Sequence, residues 1–147
     1  MKLGVMMALF GGGQPLEKAL DYVAESGLQM VELCAGNYPG EPHFKVEEVL
    51  RDDKKTAWLQ KMLKDRRLKI SALSCHGNPL HPDEKTASEH RAAQRSCILL
   101  AEKLGVGKVV TFSGCPGDCE NSKYPKRDYD GRRKKQGMAD IIRQKRT

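Results

Sequence analysis

Aromatic residues and long apolar runs are both scarce in this sequence. Aromatic residues make up 5% of the 147 residues, and only one of them is a tryptophan. No apolar run approaches the roughly 20 residues that a membrane-spanning helix needs. The short apolar run within residues 1–13 ends in three glycines rather than in the cleavage site of a secretory signal. We therefore expect a cytoplasmic protein with one domain and no membrane partner.

The cysteines lack the spacing of a metal site. They are five in number: Cys34, Cys75, Cys97, Cys115 and Cys119. Cys115 and Cys119 are close in sequence, but no second pair of cysteines or histidines lies nearby to complete a zinc tetrahedron. We predict small buried thiols in a reducing compartment.

Charge divides the chain into two parts. Residues 1–122 carry 16 basic and 16 acidic side chains, whereas residues 123–147 carry 10 basic and 3 acidic ones. Such a break marks a boundary. Few aliphatic side chains follow it, which predicts a disordered basic tail. Basic residues can contact nucleic-acid phosphates, but only Tyr124 and Tyr129 could stack on bases there, so we expect no nucleic-acid partner.

Strand-like and helical patterns alternate along residues 1–122. Short apolar runs predict four strands, at residues 3–10, 28–34, from 68 onward, and 106–112. Helical spacing predicts helices over residues 15–27, 46–67 with a break near Asp52, and from a capping box at Thr86 to Gly105. The second helical region places Trp58, Met62 and Leu63 on its apolar face. Alternation of this kind predicts an α/β fold with parallel strands, whose carboxyl ends share the ligand-binding edge.

Four polar residues near the ends of the second and third strands are candidates for substrate contacts. His76 and His81 follow the third strand, where an imidazole can hydrogen-bond a sugar hydroxyl, ligate a metal or carry a proton. The alternative is a loop histidine bonded to backbone. Glu32 lies inside an apolar strand and needs a cation, a donor or an open rim. Asn78 either orients a hydroxyl or makes the turn, and His90 is predicted to be a satisfied core histidine.

Taken together, these segments resemble the xylose-isomerase-like TIM barrel superfamily of sugar-phosphate isomerases and epimerases. The resemblance is carried by residues 2–5, 27–33 (GLQMVEL), 68–82 (LKISALSCHGNPLHP) and 109–118 (VVTFSGCPGD). It covers residues 1 to about 124. Because a complete (β/α)₈ barrel takes about 250 residues, the resemblance implies a partial (β/α)₈ TIM barrel of four strands, the N-terminal half.

The resemblance implies a sugar or sugar-phosphate isomerase or epimerase, which moves a proton or hydride at a sugar carbon. It implies substrate contacts from Glu32, His76, Asn78 and His81, with His76 as a candidate metal ligand. A divalent metal (Mn²⁺, Mg²⁺, Co²⁺ or Zn²⁺) polarises the substrate oxygens in this family. Most of the family's metal ligands come from the second half of the barrel, so we expect this chain to be inactive alone and to bind metal weakly. The superfamily also contains endonuclease IV-like phosphodiesterases, and a fragment of a metal-dependent hydrolase is one alternative. A non-catalytic half barrel that self-associates is the other.

Four strands leave both edges of a half barrel unpaired, so we expect self-association through these edges. Residues 126–135, KRDYDGRRKK, stand where the family has aromatic and apolar residues that lead into its next helix. This difference predicts a frameshift or a truncated reading frame near residue 122. The other two frames of the coding DNA test the hypothesis, because one of them should encode the fifth to eighth strands.

Overall fold

The computed structural model of the chain describes residues 1–119 and 121–125. In chain order its elements are β1 (Gly4–Met6), a 3₁₀ helix (Met7–Phe10), α1 (Leu16–Glu25), β2 (Met30–Cys34), α2 (Val46–Arg51), α3 (Asp53–Asp65), β3 (Lys69–Ser74), α4 (Glu84–Leu104) and β4 (Val109–Val110). The four strands form one sheet in the order β1-β2-β3-β4, and every neighbouring pair is parallel. The α/β fold with parallel strands is therefore confirmed.

The core lies on one face of this sheet. Val31 pairs with Val5 on β1 and with Ile70 on β3, and Leu33 pairs with Leu73. These residues join apolar side chains of α1 to α4 in a single buried cluster. Because side chains alternate along a strand, Glu32 lies on the opposite face, in register with Met6 and Ala72.

Helix boundaries follow local capping chemistry. The helical region from Val46 breaks at Asp52, as predicted, because the Asp52 side chain accepts a hydrogen bond from Lys54 N and caps α3. The predicted start of α4 at Thr86 is wrong. Asp83 is the N-cap, since its carboxylate accepts hydrogen bonds from both Thr86 N and Thr86 Oγ1, and the helix begins at Glu84.

The predicted strands at residues 3–10 and 106–112 are too long. Pairing of β1 with β2 ends at Met6, and the apolar residues Met7–Phe10 turn into a 3₁₀ helix, with Met7 fully buried. A continuous apolar run fits a strand or a buried helical turn equally well. Likewise, β4 keeps only Val109 and Val110, the two residues that find partners on β3.

Burial differs from prediction at one large residue and at two cysteines. Trp58 is 39% exposed, because α3 turns Thr56, Leu59 and Leu63 toward the core instead. Three cysteines are buried as predicted, whereas Cys115 and Cys119 are exposed in the segment after β4. That segment contributes no residue to the buried cluster, so an exposed thiol is unsurprising there.

Two predictions concern the ends of the chain and membranes. The predicted tail at residues 123–147 lies, from residue 126 onward, outside the described residues. Within the described part, no helix is both long enough and apolar enough to cross a membrane.

Candidate functional site

The segments that follow β2, β3 and β4 meet at the carboxyl edge of the sheet. Backbone hydrogen bonds fasten them together. Tyr38 N donates to His76 O over 2.7 Å, and Cys75 N donates to Val110 O over 2.9 Å. Gly77 permits the close approach of the first two segments, because a Cβ at this position would collide with the Asn37 side chain. These contacts give the loops of the candidate site a fixed arrangement.

Four rings form an aromatic cluster at this edge: Tyr38, His76, His90 and Phe112. The His76 and Phe112 rings are stacked, with centroids 4.6 Å apart and planes inclined by 18°. Tyr38 lies 6.3 Å from the Phe112 ring and 5.2 Å from the His90 ring. Tyr38 is 62% exposed and Phe112 is 53% exposed. The aromatic cluster therefore offers an apolar surface to a ligand beside the His76 imidazole.

His76 has an unused polar atom inside this cluster. Its Nδ1 is buried and has no hydrogen-bond partner among the residues that the structure describes. A buried polar atom without a partner is costly. His76 thus lies where the sequence predicts a substrate contact, and its unpaired Nδ1 is shielded from a ligand in this arrangement of the loops.

Asn78 fastens the loop after β3 to the loop after β4. Its side chain is 5% exposed. Its Nδ2 donates to Cys115 O over 2.8 Å, while Oδ1 accepts from Cys115 N over 2.7 Å and from Leu80 N over 3.2 Å. All of these partners are backbone groups, so the amide acts on the loops in this structure. A contact of Asn78 with substrate stays a prediction.

His90 supports the same loop from α4. Its Nδ1 accepts a hydrogen bond of 2.8 Å from Asn78 N, which requires that this nitrogen carry no proton. Asn37 Nδ2 donates to His90 O and also to Cys75 Sγ, each over 3.2 Å. His90 is therefore hydrogen-bonded, as predicted, and it takes part in positioning His76 and Asn78 through the backbone of their loop.

Glu32 and His81 lie apart from the aromatic cluster. In the described part of the chain, no hydrogen bond, ion pair or ring contact joins either residue to it. Glu32 is half-buried on β2 and makes no hydrogen bond or ion pair there, as far as the described residues extend. His81 is half-buried before α4, and its Nδ1 accepts a hydrogen bond of 3.0 Å from Asp83 N. His81 N donates to Asn78 O over 3.2 Å, and Asn78 in turn is hydrogen-bonded to His90 of the aromatic cluster. His76, Asn78 and His81 are therefore linked through hydrogen bonds and ring contacts, whereas Glu32 shares the sheet edge without joining them.

Burial also determines the protonation of the Cys34 thiol, which lies near Glu32. Burial raises the pKa of Cys34, and the nearby Glu32 carboxylate raises it further, while a hydrogen bond with Ser74 acts in the opposite direction. Cys34 is thus a neutral thiol near pH 7. This state argues against Cys34 as a thiolate nucleophile near pH 7.

The described residues do not assemble a metal centre. Among residues 1–119 and 121–125, no three His, Cys, Asp or Glu side chains come close enough together to hold one ion. His76 could supply one imidazole, but a stable divalent site takes several protein ligands.

Tyr38 and Phe112 are functional candidates that the sequence reasoning missed. Both are large rings in loops that directly follow parallel strands, beside glycine, asparagine and serine. A large ring in such a polar loop seldom serves the core, and this signal was available in the sequence.

A parallel α/β sheet with its polar loops gathered at the carboxyl edge of the strands is the architecture of barrel and doubly wound enzymes. The model of the xylose isomerase-like TIM barrel family matches residues 20–144 of this chain. The chain belongs to that family. The family includes sugar isomerases and epimerases as well as endonuclease IV-like enzymes.

Individual relatives agree with this assignment. The chain is 34% identical to the uncharacterized protein YfiH of Bacillus subtilis (strain 168) over 114 residues, which are 78% of this chain and 36% of that protein. It superposes on a xylose isomerase-like TIM barrel protein from Mycobacterium smegmatis, solved in complex with magnesium, with a TM-score of 0.55 and 20% identity, covering 77% of this chain and 38% of that one. It also superposes on the probable 3-DHS dehydratase AsbF of Bacillus anthracis, with a TM-score of 0.51 and 20% identity. That superposition covers 80% of this chain and 40% of the dehydratase chain.

The chain thus spans well under half the length of these relatives. Its four parallel strands correspond to part of a (β/α)₈ barrel, which confirms the predicted partial TIM barrel.

Proposed function

We propose that this chain supplies the substrate-binding side of a sugar or sugar-phosphate isomerase or epimerase site. The aromatic cluster is the observation that supports this proposal. A sugar has apolar C–H faces as well as hydroxyl groups, so its site needs ring surface beside hydrogen-bonding groups. Tyr38 and Phe112 offer that surface, and His76 lies stacked on Phe112 with Nδ1 unpaired among the described residues.

The candidate residues take different roles in this proposal. His76 hydrogen-bonds a substrate hydroxyl, and Glu32 accepts or returns a proton at the sugar carbon. Glu32 suits this role because its carboxylate makes no ion pair within the described sheet. It is also half-buried on the face of the sheet away from the core. His81 uses Nδ1 for Asp83 N, which leaves Nε2 for a ligand. Asn78 holds the loop after β3 against the loop after β4. We propose that it contacts the substrate only at the edge of these two loops.

A divalent metal (Mn²⁺, Mg²⁺, Co²⁺ or Zn²⁺) is proposed for the complete family site, where it supplies Lewis acidity. The magnesium complex of the Mycobacterium smegmatis relative supports this proposal. The residues described here do not fit a metal by themselves, since no cluster of three ligands forms among them. We therefore expect weak metal binding through His76, and no step proposed for Glu32 or His76 depends on the metal.

A hydrolase of the endonuclease IV type is the alternative. Such an enzyme needs several histidine and carboxylate ligands around its metals. The described residues supply no such group, whereas the exposed aromatic rings favour a sugar. The isomerase or epimerase proposal is therefore preferred.

Saturation-transfer NMR of aldoses and ketoses with the 147-residue chain tests the proposal. We expect weak, saturable binding, with a Kd of about 1 mM or above. Phe112→Ala and His76→Ala should each abolish it. Leu9→Ala is the matched control, because Leu9 is an 80% exposed apolar side chain outside the cluster.

The same samples, with Mn²⁺ or Mg²⁺ added, should show no ketose–aldose exchange. Saturation transfer that is unchanged in Phe112→Ala, or that is absent in the unsubstituted chain, would contradict the proposed sugar site. Clear turnover would refute the expectation that this chain is inactive by itself.

A further inference from the structure

A second cleft lies beside the segment that follows β2, against α2 and α3. We call it the Trp58 cleft, and its walls include His43, Phe44 and Trp58. Its volume is about 550 Å³, which falls within the range of small-molecule sites. Neither the aromatic cluster nor any of Glu32, His76, Asn78 and His81 lines it. The Trp58 cleft is therefore separate from the candidate site described above.

Trp58 gives the cleft a flat apolar wall. It is the single tryptophan of the chain, and it remains 39% exposed although the next residue, Leu59, is fully buried. Phe44 is buried behind the same cleft. Indole faces stack well on other planar rings. This wall therefore offers a stacking surface to a planar ring.

His43 adds a polar group to the same wall. Its Nε2 is buried and has no hydrogen-bond partner among the described residues. Burial lowers the pKa of the His43 imidazole, so the ring is neutral near pH 7. A neutral imidazole nitrogen can either donate or accept, according to the tautomer. The last side-chain torsion of histidine is soft, so we infer that a rotation of the His43 ring turns Nε2 from its buried position toward the cleft.

The charged residues at the rim neutralise one another. Lys45 pairs with Glu41 over 3.6 Å, and Lys55 forms an ion pair with Glu48. All four line the cleft. Two cations and two anions leave no net charge to attract a phosphate or an ammonium group. The rim therefore gives a charged ligand no advantage over a neutral one.

We propose that the Trp58 cleft binds a small, neutral heteroaromatic ring of the nucleobase class, stacked on Trp58 with its polar edge hydrogen-bonded to His43 Nε2. The stacking surface, the unpaired nitrogen and the balanced rim each restrict the ligand in a different way. A planar ring without a polar edge leaves His43 unpaired, and a phosphorylated ring gains nothing from the rim.

Trp58 itself reports binding, because no other residue of the chain contributes indole fluorescence. The probe is adenosine, titrated into the full chain with excitation at a wavelength that adenosine does not absorb. We expect a saturable change in Trp58 fluorescence with a Kd of about 1 mM or below. Adenosine monophosphate should bind within about twofold of adenosine, and ribose should cause no change. A linear or absent response to adenosine, or a ribose response equal to it, would overturn the proposal.

His43→Phe keeps a flat ring and removes the nitrogen, so the affinity for adenosine should fall about tenfold. Tyr22→Phe removes a polar atom from an exposed ring outside both the Trp58 cleft and the candidate site. It is the matched control and should leave adenosine binding unchanged. An unchanged affinity in His43→Phe, with native circular dichroism, would contradict the role of His43. If that variant does not fold, nuclear Overhauser contacts between adenosine and the Trp58 ring in the unsubstituted chain decide the question, and their absence refutes the proposal.

Discussion

Replacing Asn78 with alanine should detach the loop after β3 from the loop after β4. The Asn78 side chain is buried and makes three hydrogen bonds to backbone groups of Cys115 and Leu80. With a net contribution of about 1 kcal/mol for each bond, we expect the free energy of unfolding to fall by about 3 kcal/mol. For a chain of this length, such a loss lowers the melting temperature by about 10 °C.

Melting followed by circular dichroism measures this loss globally, and hydrogen exchange at Cys115 N–H measures it locally. The Cys115 amide should exchange about tenfold faster once its acceptor is gone. Asn121 is exposed, so Asn121→Ala is the matched control and should change stability by less than about 0.5 kcal/mol. Asn78→Asp keeps an acceptor oxygen for Cys115 N and Leu80 N but places a buried carboxylate oxygen against Cys115 O, so its loss of stability should be at least as large as that of Asn78→Ala.

Gly114 provides an independent test of the same packing. Its φ of +99° is unfavourable for other residues, and a Cβ there would lie 2.9 Å from Asn78 Oδ1. Gly114→Ala should therefore destabilise the chain by an amount comparable to Asn78→Ala. One result would contradict the stabilising role of Asn78. If Asn78→Ala melts within about 1 °C of the unsubstituted chain but no longer binds sugar, Asn78 contacts the substrate and does not hold the loops together.

Three further predictions concern acid, thiols and assembly. Hydrogen bonds from Thr86 hold the pKa of Asp83 below its ordinary value. The Asp83 cap therefore stabilises α4 fully above about pH 4, and this stabilisation is lost as the pH falls through the lowered pKa of the folded state. Asp83→Asn should make the melting temperature less dependent on pH in this acid range, and an unchanged dependence would contradict the role of the cap. Under native conditions, alkylation followed by mass spectrometry should modify Cys115 and Cys119, while the three buried thiols react only after unfolding; modification of all five at one rate would show that the core is open. Light scattering should give a mass above the 16.4 kDa of one chain, because β1 and β4 each have an unpaired edge within the described sheet, and Val110→Lys should lower it; a concentration-independent monomer would exclude self-association.

Local chemistry in the sequence was sufficient for the order of the elements. Periodicity and capping residues act over a few positions, so Asp52 marked the break between α2 and α3 correctly. Alternation of strands and helices likewise predicted parallel pairing at one edge, which the sheet confirms. The placement of His76 at the end of β3 follows from the same pattern.

The tertiary structure alone decided where pairing stops and which side chains meet. The apolar residues after Met6 and around Val109 have the composition of strands, but strands exist only where a neighbour supplies hydrogen-bond partners. The stacking of His76 on Phe112 joins residues 36 positions apart, and the exposure of Trp58 depends on how α3 turns against α2 and the sheet. The sequence by itself therefore determined the family, the element order and the edge that carries the candidate site. The aromatic cluster, the Asn78 hydrogen bonds and the Trp58 cleft depend on contacts between distant segments, which no local pattern specifies.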